Sequence, residues 1–577
     1  MSTRPTQEKN FEDAIEDWLI THSGYESRSN KVFNTELAFD TAVLIDFIKS
    51  TQKSVYAALA SSYGSQVDDL IVRRIAKECD QRGLLDVIRQ GVRDRGQLVR
   101  LAYFKPATSL NPETEWLYQQ NRLTVMRQVY FSLDGNDSID MVLFINGLPI
   151  ATVELKNQFT NQSWVHSVKQ YKEDRIPTLK TPLIQFKKRA LVHFAVDTDE
   201  AYMTTRLMGD KTYFLPFNTG DHGGKGNPID HNYATGYKTG YLWEKIWQRD
   251  SWLDIVHRFI HLQKKEEKDP ETGTVNIREA IIFPRYHQLD AVRQLTQVTR
   301  FDGVGLSRLI QHSAGSGKTN TISWAAHQLA SLHGGDDKPF FNSVIVISDR
   351  RNLDKQLQDN VYAIEHKQGV VEKIDESKHA SDLAEALNKG VKIIITTLQK
   401  FSFLLDKVND FSNKTFAVIV DEAHSSTGSK HTGNLKKALG SVPRKPGESD
   451  EEHDSAIFDA AILEDLKVEE EPSIEDLIID DAKSRGKQPN ISFFAFTATP
   501  KHKTLTLFGT LDAEGKPKPF HLYSMRQAIE EGFILDVLKY YTTYKTYFKL
   551  TKAVAEDPEV DEKKAKRAIN TYLNLHP

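Results

Sequence analysis

A chain of 577 residues is well above the size at which one hydrophobic core stops growing, so roughly two to four domains are expected. Its 39% hydrophobic and 27% charged residues are typical of a soluble globular protein, and no apolar run approaches the ~20 residues of a membrane helix. The net charge of -4 excludes an overall basic surface. Contact with nucleic acid would therefore depend on local basic clusters, such as residues 186–189 or 563–567.

The single cysteine, Cys79, excludes an internal disulfide and a cysteine metal cluster. This fits a reducing compartment, and the N-terminus lacks the apolar segment of a secretory signal. Both observations predict a cytoplasmic protein, and no membrane association is expected.

The first half of the chain has a mixed pattern. Helical periodicity occurs at 11–20 and 41–50, and strands are predicted around 138–156 and 189–197. Gly, Asp and Pro predict a loop at 219–228, and the charged, breaker-rich stretch 264–275 is interpreted as a linker.

The second half alternates short β-branched runs with helical stretches. The runs are at 307–313, 343–349, 391–397, 416–421 and 491–497. Because these strands are apolar on both faces, they predict a parallel sheet covered by helices on each side. The acid-rich segment 448–481 is interpreted as a solvated insertion with short helices.

Charged residues interrupt two apolar runs at 138–157, SIDMVLFINGLPIATVELKN. If the loop has three residues centred on Gly147, Asp140 and Glu154 lie opposite each other, and Glu154 and Lys156 share a face. The three side chains would then converge. Two carboxylates can share a divalent metal that activates water, and a lysine can offset developing charge. This is the arrangement of PD-(D/E)xK nucleases; a cross-strand salt bridge is the alternative.

A phosphate-binding loop is predicted at residues 312–320, HSAGSGKTN, between a strand and a helix. Backbone N–H groups of Gly315, Ser316 and Gly317 would cradle phosphate oxygens, Lys318 would reach the β- and γ-phosphates, and Thr319 would hold Mg²⁺. His312 replaces the first glycine of the general pattern.

A DEAH string ends the apolar run at 416–424. Asp421 would bind Mg²⁺ through water, and Glu422 would orient and deprotonate the attacking water. Upstream, Gln288 is placed to hydrogen-bond adenine, and Thr497 and Thr499 are candidates for coupling hydrolysis to motion. In this order the motifs resemble the first RecA-like motor domain of superfamily 2 helicases and translocases, over about residues 280–540.

Segments along nearly the whole chain, in order, resemble the restriction (R) subunit of type I restriction-modification enzymes. They include FINGLPIATVELKN, IIFPRYHQLDAV, IQHSAGSGKTNTISWAAHQL, FFAFTATPK and GFILDVLKYYTTYKTYFKL. The resemblance implies an ATP-driven motor on double-stranded DNA, fused to an Mg²⁺-dependent nuclease, in a bacterial or archaeal complex with modification and specificity subunits. It implies Asp140, Glu154 and Lys156 as cleavage residues, with Gln288, Lys318, Thr319, Asp421 and Glu422 serving ATP.

The expected fold class is α/β: a restriction-endonuclease-like domain (1–265), a RecA-like doubly wound parallel-sheet domain (266–540), and a linker (541–577) toward a second motor domain. Only about 75 residues follow the TAT motif, so we expect an N-terminal fragment without full ATPase activity. Two alternatives are a helicase-nuclease of another DNA defence or repair system and an inactive scaffold with structural carboxylates.

The nuclease pattern departs from many relatives at one position. Those relatives have a glutamine four residues before a tyrosine on the helix after the lysine, whereas here Ser167 precedes Tyr171 and Gln170 adjoins it. Gln170 and Tyr171 are therefore not assigned to the active site. Glu12 is a further candidate ligand, although we favour an exposed helix charge.

Overall fold

The computed structural model describes residues 8–158, 161–268, 274–348, 351–364, 370–374, 380–397, 414–421 and 489–536. The acidic segment 448–481, the basic cluster 563–567, Glu422 and the expected linker 541–577 lie outside these ranges. Two seven-stranded sheets organise the described residues. None of the described helices is long and apolar enough to cross a bilayer.

The first sheet is mixed, with the order β1-β4-β5-β6-β7-β8-β9. Its strands and those of a small separate hairpin, β2–β3, are β1 Tyr25–Arg28, β2 Val92–Asp94, β3 Gln97–Val99, β4 Leu123–Tyr130, β5 Ser138–Ile145, β6 Leu148–Leu155, β7 Val192–Val196, β8 Ala201–Thr204 and β9 Leu215–Pro216. The helices are α1 Glu8–His22, α2 Thr41–Thr51, α3 Lys53–Tyr63, α4 Val67–Arg82, α5 Leu84–Gln90, α6 Pro112–Gln119, α7 Trp164–Glu173 and α8 Arg249–Asp254.

The central hairpin β5–β6 turns through two residues, not the three that the sequence predicts. Asn146 and Gly147 both have positive φ, as a tight Asn-Gly hairpin turn requires. A register shift beside Leu143/Phe144 then inserts one residue into β6. Beyond this bulge, Met141 pairs with Val153, which is the register a three-residue loop would have produced.

The described residues of 264–275 lie almost entirely in strands and not in the linker that their charge predicts. Strands β10 His261–Lys268 and β11 Val275–Ile282 pair in an antiparallel hairpin along their whole length. An Arg278–Glu267 ion pair joins the two strands to each other, and a Lys187–Glu279 ion pair joins them to the first domain.

The second sheet confirms the predicted parallel α/β class. Its order is β14-β15-β13-β16-β17-β12-β20, and every neighbouring pair is parallel. The strands are β12 Ser307–His312, β13 Ser343–Ser348, β14 Val371–Ile374, β15 Ile393–Thr397, β16 Phe416–Asp421, β17 Ile491–Thr497 and β20 His521–Tyr523; β18 Thr510–Leu511 and β19 Pro517–Lys518 form a separate pair. The helices are α9 Tyr286–Asp302, α10 Lys318–Ala330, α11 Arg351–Ile364, α12 Ala380–Lys389, α13 His502–Phe508 and α14 Met525–Glu530.

Helices cover both faces of this sheet. Alternate strand residues such as Ile345 and Ile394 pack with Leu383 of α12 and Phe508 of α13. Their neighbours pack on the opposite face with residues of α9, α10 and α11. Because the strands are parallel, their carboxyl ends lie along one edge, where the ligand sites of such sheets form.

Candidate functional site

The hairpin β5–β6 brings Asp140, Glu154 and Lys156 together. Extending the Met141–Val153 register by one position places Asp140 across from Glu154. Asp140 Oδ2 accepts a 2.8 Å hydrogen bond from the Leu155 amide and lies 3.7 Å from Lys156 Nζ. Lys156 Nζ also donates to the Leu155 carbonyl at 2.8 Å. All three charged side chains are buried.

Glu154 is the most constrained member of this cluster. It is fully buried, and Oε1 accepts a 2.8 Å hydrogen bond from Arg175 Nε. Burial raises the pKa of Glu154 well above its usual range; the charge of Asp140 acts in the same direction, and Arg175 opposes it. Among the described residues, the second oxygen, Oε2, has no hydrogen-bond partner.

The oxygen donors fit a hard divalent cation. Two carboxylates lie side by side, and one buried carboxylate oxygen is left without a partner, which costs free energy unless a proton or cation binds there. Within the described part of the chain, no group of three or more His, Cys, Asp and Glu side chains is arranged to hold a metal. A cation here would depend on the Asp140–Glu154 pair, completed by water or substrate oxygens.

A backbone irregularity in β4 adds a residue that sequence reasoning missed. Gln128 has φ +50 and interrupts the β4–β5 pairing between Arg127 and Val129. Its amide nitrogen lies 3.0 Å from Glu12 Oε1 and 3.4 Å from Asp140 Oδ1. The interpretation of Glu12 as an exposed helix charge is therefore wrong: it is 5% exposed.

Helix α7 supplies the buried wall beside Glu154. Ser167 Oγ donates to the Glu154 carbonyl at 3.2 Å, and the Tyr171 hydroxyl lies 2.8 Å from Thr152 Oγ1. Gln170 is half-buried, and neither its amide nor the Tyr171 hydroxyl bonds to Asp140 or Lys156 in the described residues. Just past the helix, Arg175 provides the Glu154 contact, and no motif in the sequence indicates it.

The predicted phosphate loop connects β12 to α10. Gly315 and Gly317 have φ of +72 and +76, and Lys318 begins the helix. A Cβ on Gly317 would lie 2.6 Å from Gln288 Nε2, so only glycine fits without displacement. The buried Ser316 hydroxyl has no hydrogen-bond partner in the structure. The Ser316 amide, which the sequence predicts to face phosphate, donates to the Ser313 carbonyl at 3.2 Å and would have to release it to bind a phosphate oxygen.

Gln288 and Lys318 both contact the loop itself. The Gln288 amide nitrogen donates to the Ser316 and Gly317 carbonyls at 3.1 and 3.0 Å, and its oxygen accepts from the Arg285 amide. Lys318 Nζ donates to the His312 carbonyl at 3.2 Å. The adenine contact predicted for Gln288 stays a prediction, since its amide is engaged by the loop.

Arg285, which sequence reasoning did not assign, joins the loop to the end of the described chain. Its guanidinium donates to the Gly315 carbonyl at 3.1 Å and pairs with Glu531 at 3.2 Å. The same group lies 3.5 Å from the centre of the Phe533 ring. The segment GFIL at 532–535 therefore packs directly on the phosphate loop.

Asp421 and Thr497 lie at the same sheet edge as the phosphate loop. Asp421 ends β16, Thr497 ends β17, and β17 is hydrogen-bonded to β12, which precedes the loop. Thr497 is buried, and its Oγ1 accepts a 3.3 Å hydrogen bond from the Thr499 amide. Glu422 follows Asp421 but lies outside the described residues.

Two protein-family models match separate parts of the chain. Residues 6–212 match the family model of the type I restriction enzyme R protein N terminus, and residues 287–444 match that of the SWI2/SNF2 ATPase. The first of these regions is similar to type I restriction enzyme R proteins, and the second is similar to SWI2/SNF2 ATPases. The R-protein match contains the whole carboxylate cluster, and the ATPase match contains the phosphate loop.

Individual relatives are distant. The MjaVIIIP endonuclease subunit of a type I restriction enzyme from Methanocaldococcus jannaschii is 23% identical over 456 residues, which cover 73% of this chain and 41% of that protein. The SsaAORF53P endonuclease subunit of Staphylococcus saprophyticus is 23% identical over 63% of this chain and 35% of that protein. The UvsW helicase structure from bacteriophage T4 matches 38% of this chain and 53% of its own at 14% identity, with a TM-score of 0.20. The chain thus spans about two fifths of the first relative.

Proposed function

We propose that this chain is the motor and nuclease part of a type I restriction enzyme, coupling ATP-dependent translocation of double-stranded DNA to Mg²⁺-dependent phosphodiester cleavage. The observation that carries the proposal is the convergence of Asp140, Glu154 and Lys156 in a domain that precedes a phosphate-loop sheet. An isolated carboxylate cluster or an isolated phosphate loop would fit many functions. Their order on one chain fits a DNA-cutting motor.

In the cleavage site, Asp140 and Glu154 would hold the cation, which when bound supplies positive charge against the scissile phosphate and acidifies a water molecule. Lys156 carries its ammonium group 3.7 Å from Asp140, where it can orient the nucleophile or offset phosphate charge. Arg175 holds Glu154 in place from the protein side. The burial of all four groups keeps bulk water from competing for these contacts.

In the motor site, the loop from Gly315 to Thr319 would bind the ATP phosphates. Lys318 would exchange its His312 carbonyl contact for the β/γ-phosphates, and the Thr319 hydroxyl, which bonds to no described residue, would join Asp421 in holding Mg²⁺. Glu422 keeps its proposed role in orienting the attacking water. The Gln288 amide nitrogen would donate to adenine only after it releases the Ser316 or the Gly317 carbonyl.

The proposed partners are double-stranded DNA and modification and specificity subunits, in the cytoplasm of a bacterium or archaeon. The two relatives named above come from an archaeon and a bacterium. The competing interpretation of an inactive scaffold is favoured by two contacts, the buried Arg175–Glu154 ion pair and the 3.7 Å approach of Lys156 to Asp140. They account for Oε1 of Glu154 and for the Asp140 charge, but they leave Glu154 Oε2 without a hydrogen-bond partner among the described residues.

A cleavage assay on a full-length R protein that contains this chain, assembled with modification and specificity subunits, tests the proposal. Asp140→Asn, Glu154→Gln and Lys156→Ala should each abolish cutting while DNA-stimulated ATP hydrolysis continues. Asp134→Asn is the matched control, because Asp134 lies in the loop before β5 and its pair with Lys180 is exposed. Retained cutting in any of the three variants would remove that residue from the site.

The motor half needs its own variant. Lys318→Ala in the same complex should stop ATP hydrolysis, translocation and translocation-dependent cutting, because it deletes the main cation facing the β/γ-phosphates. Methylation by the partner subunits should survive. A Lys318→Ala enzyme that still moves along DNA would refute the phosphate-loop assignment.

A further inference from the structure

A cavity of about 440 Å³ lies on the first domain, between α4 and the β2–β3 hairpin. Its charged lining consists of four arginines and one acid, namely Arg74, Arg82, Arg93, Arg100 and Glu78. None of these side chains belongs to the carboxylate cluster or the phosphate loop. The cavity is therefore a separate feature, and the proposed chemistry does not use it.

The inner two arginines build the cavity and fix its shape. Arg74 and Arg82 share the buried Glu78, at 2.8 and 3.0 Å. They also donate to the backbone carbonyls of Arg93 and Gly91, which ties the hairpin to α4. These contacts hold the hairpin in one position, so the lining is arranged before any ligand arrives.

The outer two arginines carry uncompensated charge. Arg93 and Arg100 are exposed and form no ion pair with any described residue; the Arg100 guanidinium has one long contact, 3.4 Å to the Gln90 carbonyl. Deeper in, Arg74 Nε is buried and has no hydrogen-bond partner in the described part of the chain. The cavity thus combines an excess of positive charge with unused donors.

We propose that this cavity binds a phosphate group of the duplex DNA backbone. A guanidinium presents paired N–H donors that match phosphate oxygens, and it remains charged at any physiological pH. The lining includes one apolar side chain, Leu98, and no aromatic ring on which a base could stack. Recognition would therefore be independent of sequence and would position the DNA on the first domain.

The inference rests on the proposed function only in taking duplex DNA as the partner. Its test measures binding of a labelled blunt duplex to the full chain by fluorescence anisotropy, across a salt series and without Mg²⁺. The test variant is Arg93→Gln/Arg100→Gln. The matched control, Arg73→Gln/Lys77→Gln, removes the same charge from exposed positions of α4 outside the cavity.

Loss of the one phosphate contact should lower the slope of log K against log salt by about 0.9, and the control should leave the slope unchanged. Equal slopes for the two variants would overturn the inference while wild-type binding still supports DNA as the partner. A wild-type chain that binds no duplex would overturn both.

Inorganic phosphate and ATP are then titrated separately to distinguish a backbone phosphate from a free one. The inference predicts that the test variant loses duplex affinity at every sequence tested. If the variant loses affinity for free phosphate or ATP and keeps its duplex affinity, the cavity binds a small anion and the backbone assignment is wrong.

Discussion

Arg175 Nε lies 2.8 Å from Glu154 Oε1, and both side chains are almost completely buried. Breaking a buried ion pair leaves one charge without a partner, so Arg175→Ala should lower the free energy of unfolding by about 3–5 kcal/mol. The double variant Glu154→Gln/Arg175→Met should recover most of that loss, because no charge remains unpaired. Urea denaturation measures the free energy of unfolding of the single and the double variant.

Lys180→Ala serves as the comparison for this ion pair. It breaks the exposed Lys180–Asp134 pair and should cost no more than about 1 kcal/mol. If Arg175→Ala were as mild as Lys180→Ala, the pair would not be holding Glu154 in place.

The turn at Gly147 controls the register that aligns the carboxylates. Gly147 has φ +82, and a Cβ there would lie 2.3 Å from the Asp40 carbonyl oxygen. Gly147→Ala should therefore reduce the free energy of unfolding by about 1–3 kcal/mol, again measured in urea. Gly135→Ala, at a glycine with ordinary space around it, should change stability by less than about 0.5 kcal/mol. If Gly147→Ala and Gly135→Ala lowered the free energy of unfolding by similar amounts, a side chain at Gly147 would not strain the turn.

Because Gly317 has no side chain, the phosphate loop can pack closely against the Gln288 side chain. Because a Cβ would lie 2.6 Å from Gln288 Nε2 on a backbone with φ +76, Gly317→Ala should weaken ATP binding about tenfold or more. Titration with a fluorescent ATP analogue measures the change. Gly335→Ala is the control, since nothing lies within 4 Å of a Cβ there. Unchanged affinity in the Gly317 variant would mean that nucleotide does not use this loop.

His193 makes the first domain sensitive to acid. Burial lowers its pKa to about 3, from the 6.5 expected in the unfolded chain. Below pH 6.5 the unfolded chain takes up a proton that the folded chain excludes, so stability falls as the pH drops toward 3. A change from pH 7 to pH 5 therefore lowers the free energy of unfolding by about 2 kcal/mol through this histidine.

The acid effect is isolated by comparison with His193→Gln. Urea denaturation at the two pH values should show a smaller pH-dependent loss in the variant than in the wild type. Equal losses would assign the acid sensitivity to other groups.

Much of the fold could be predicted because its determinants are local. Each β-branched run from 307 to 497 became a strand of the parallel sheet, since apolar residues on both faces suit burial between helices. In the β5–β6 hairpin, the sequence predicted the pairing but not the turn. The loop length was wrong, but the bulge in β6 compensated for it, and the cross-strand position of Asp140 and Glu154 came out as predicted.

The rest could not be predicted because it depends on contacts between distant residues. Arg175 follows a helix and carries no motif, Gln128 lies across from Asp140 through the pairing of β4 with β5, and Glu12 is buried by residues more than a hundred positions away. The hairpin at 261–282 was missed for another reason. Its charged residues indicate a linker when counted together, although they lie on two strands that pair with each other.

The most direct test of the central claim is the position of a divalent cation. Crystals of the full chain soaked with Mn²⁺ should show one anomalous peak shared by carboxylate oxygens of Asp140 and Glu154, including the Glu154 Oε2 that has no partner in the structure. The peak should vanish in Asp140→Asn and persist in Asp134→Asn. A wild-type crystal with no peak at these carboxylates, and with Glu154 still held by Arg175, would contradict the proposed nuclease site.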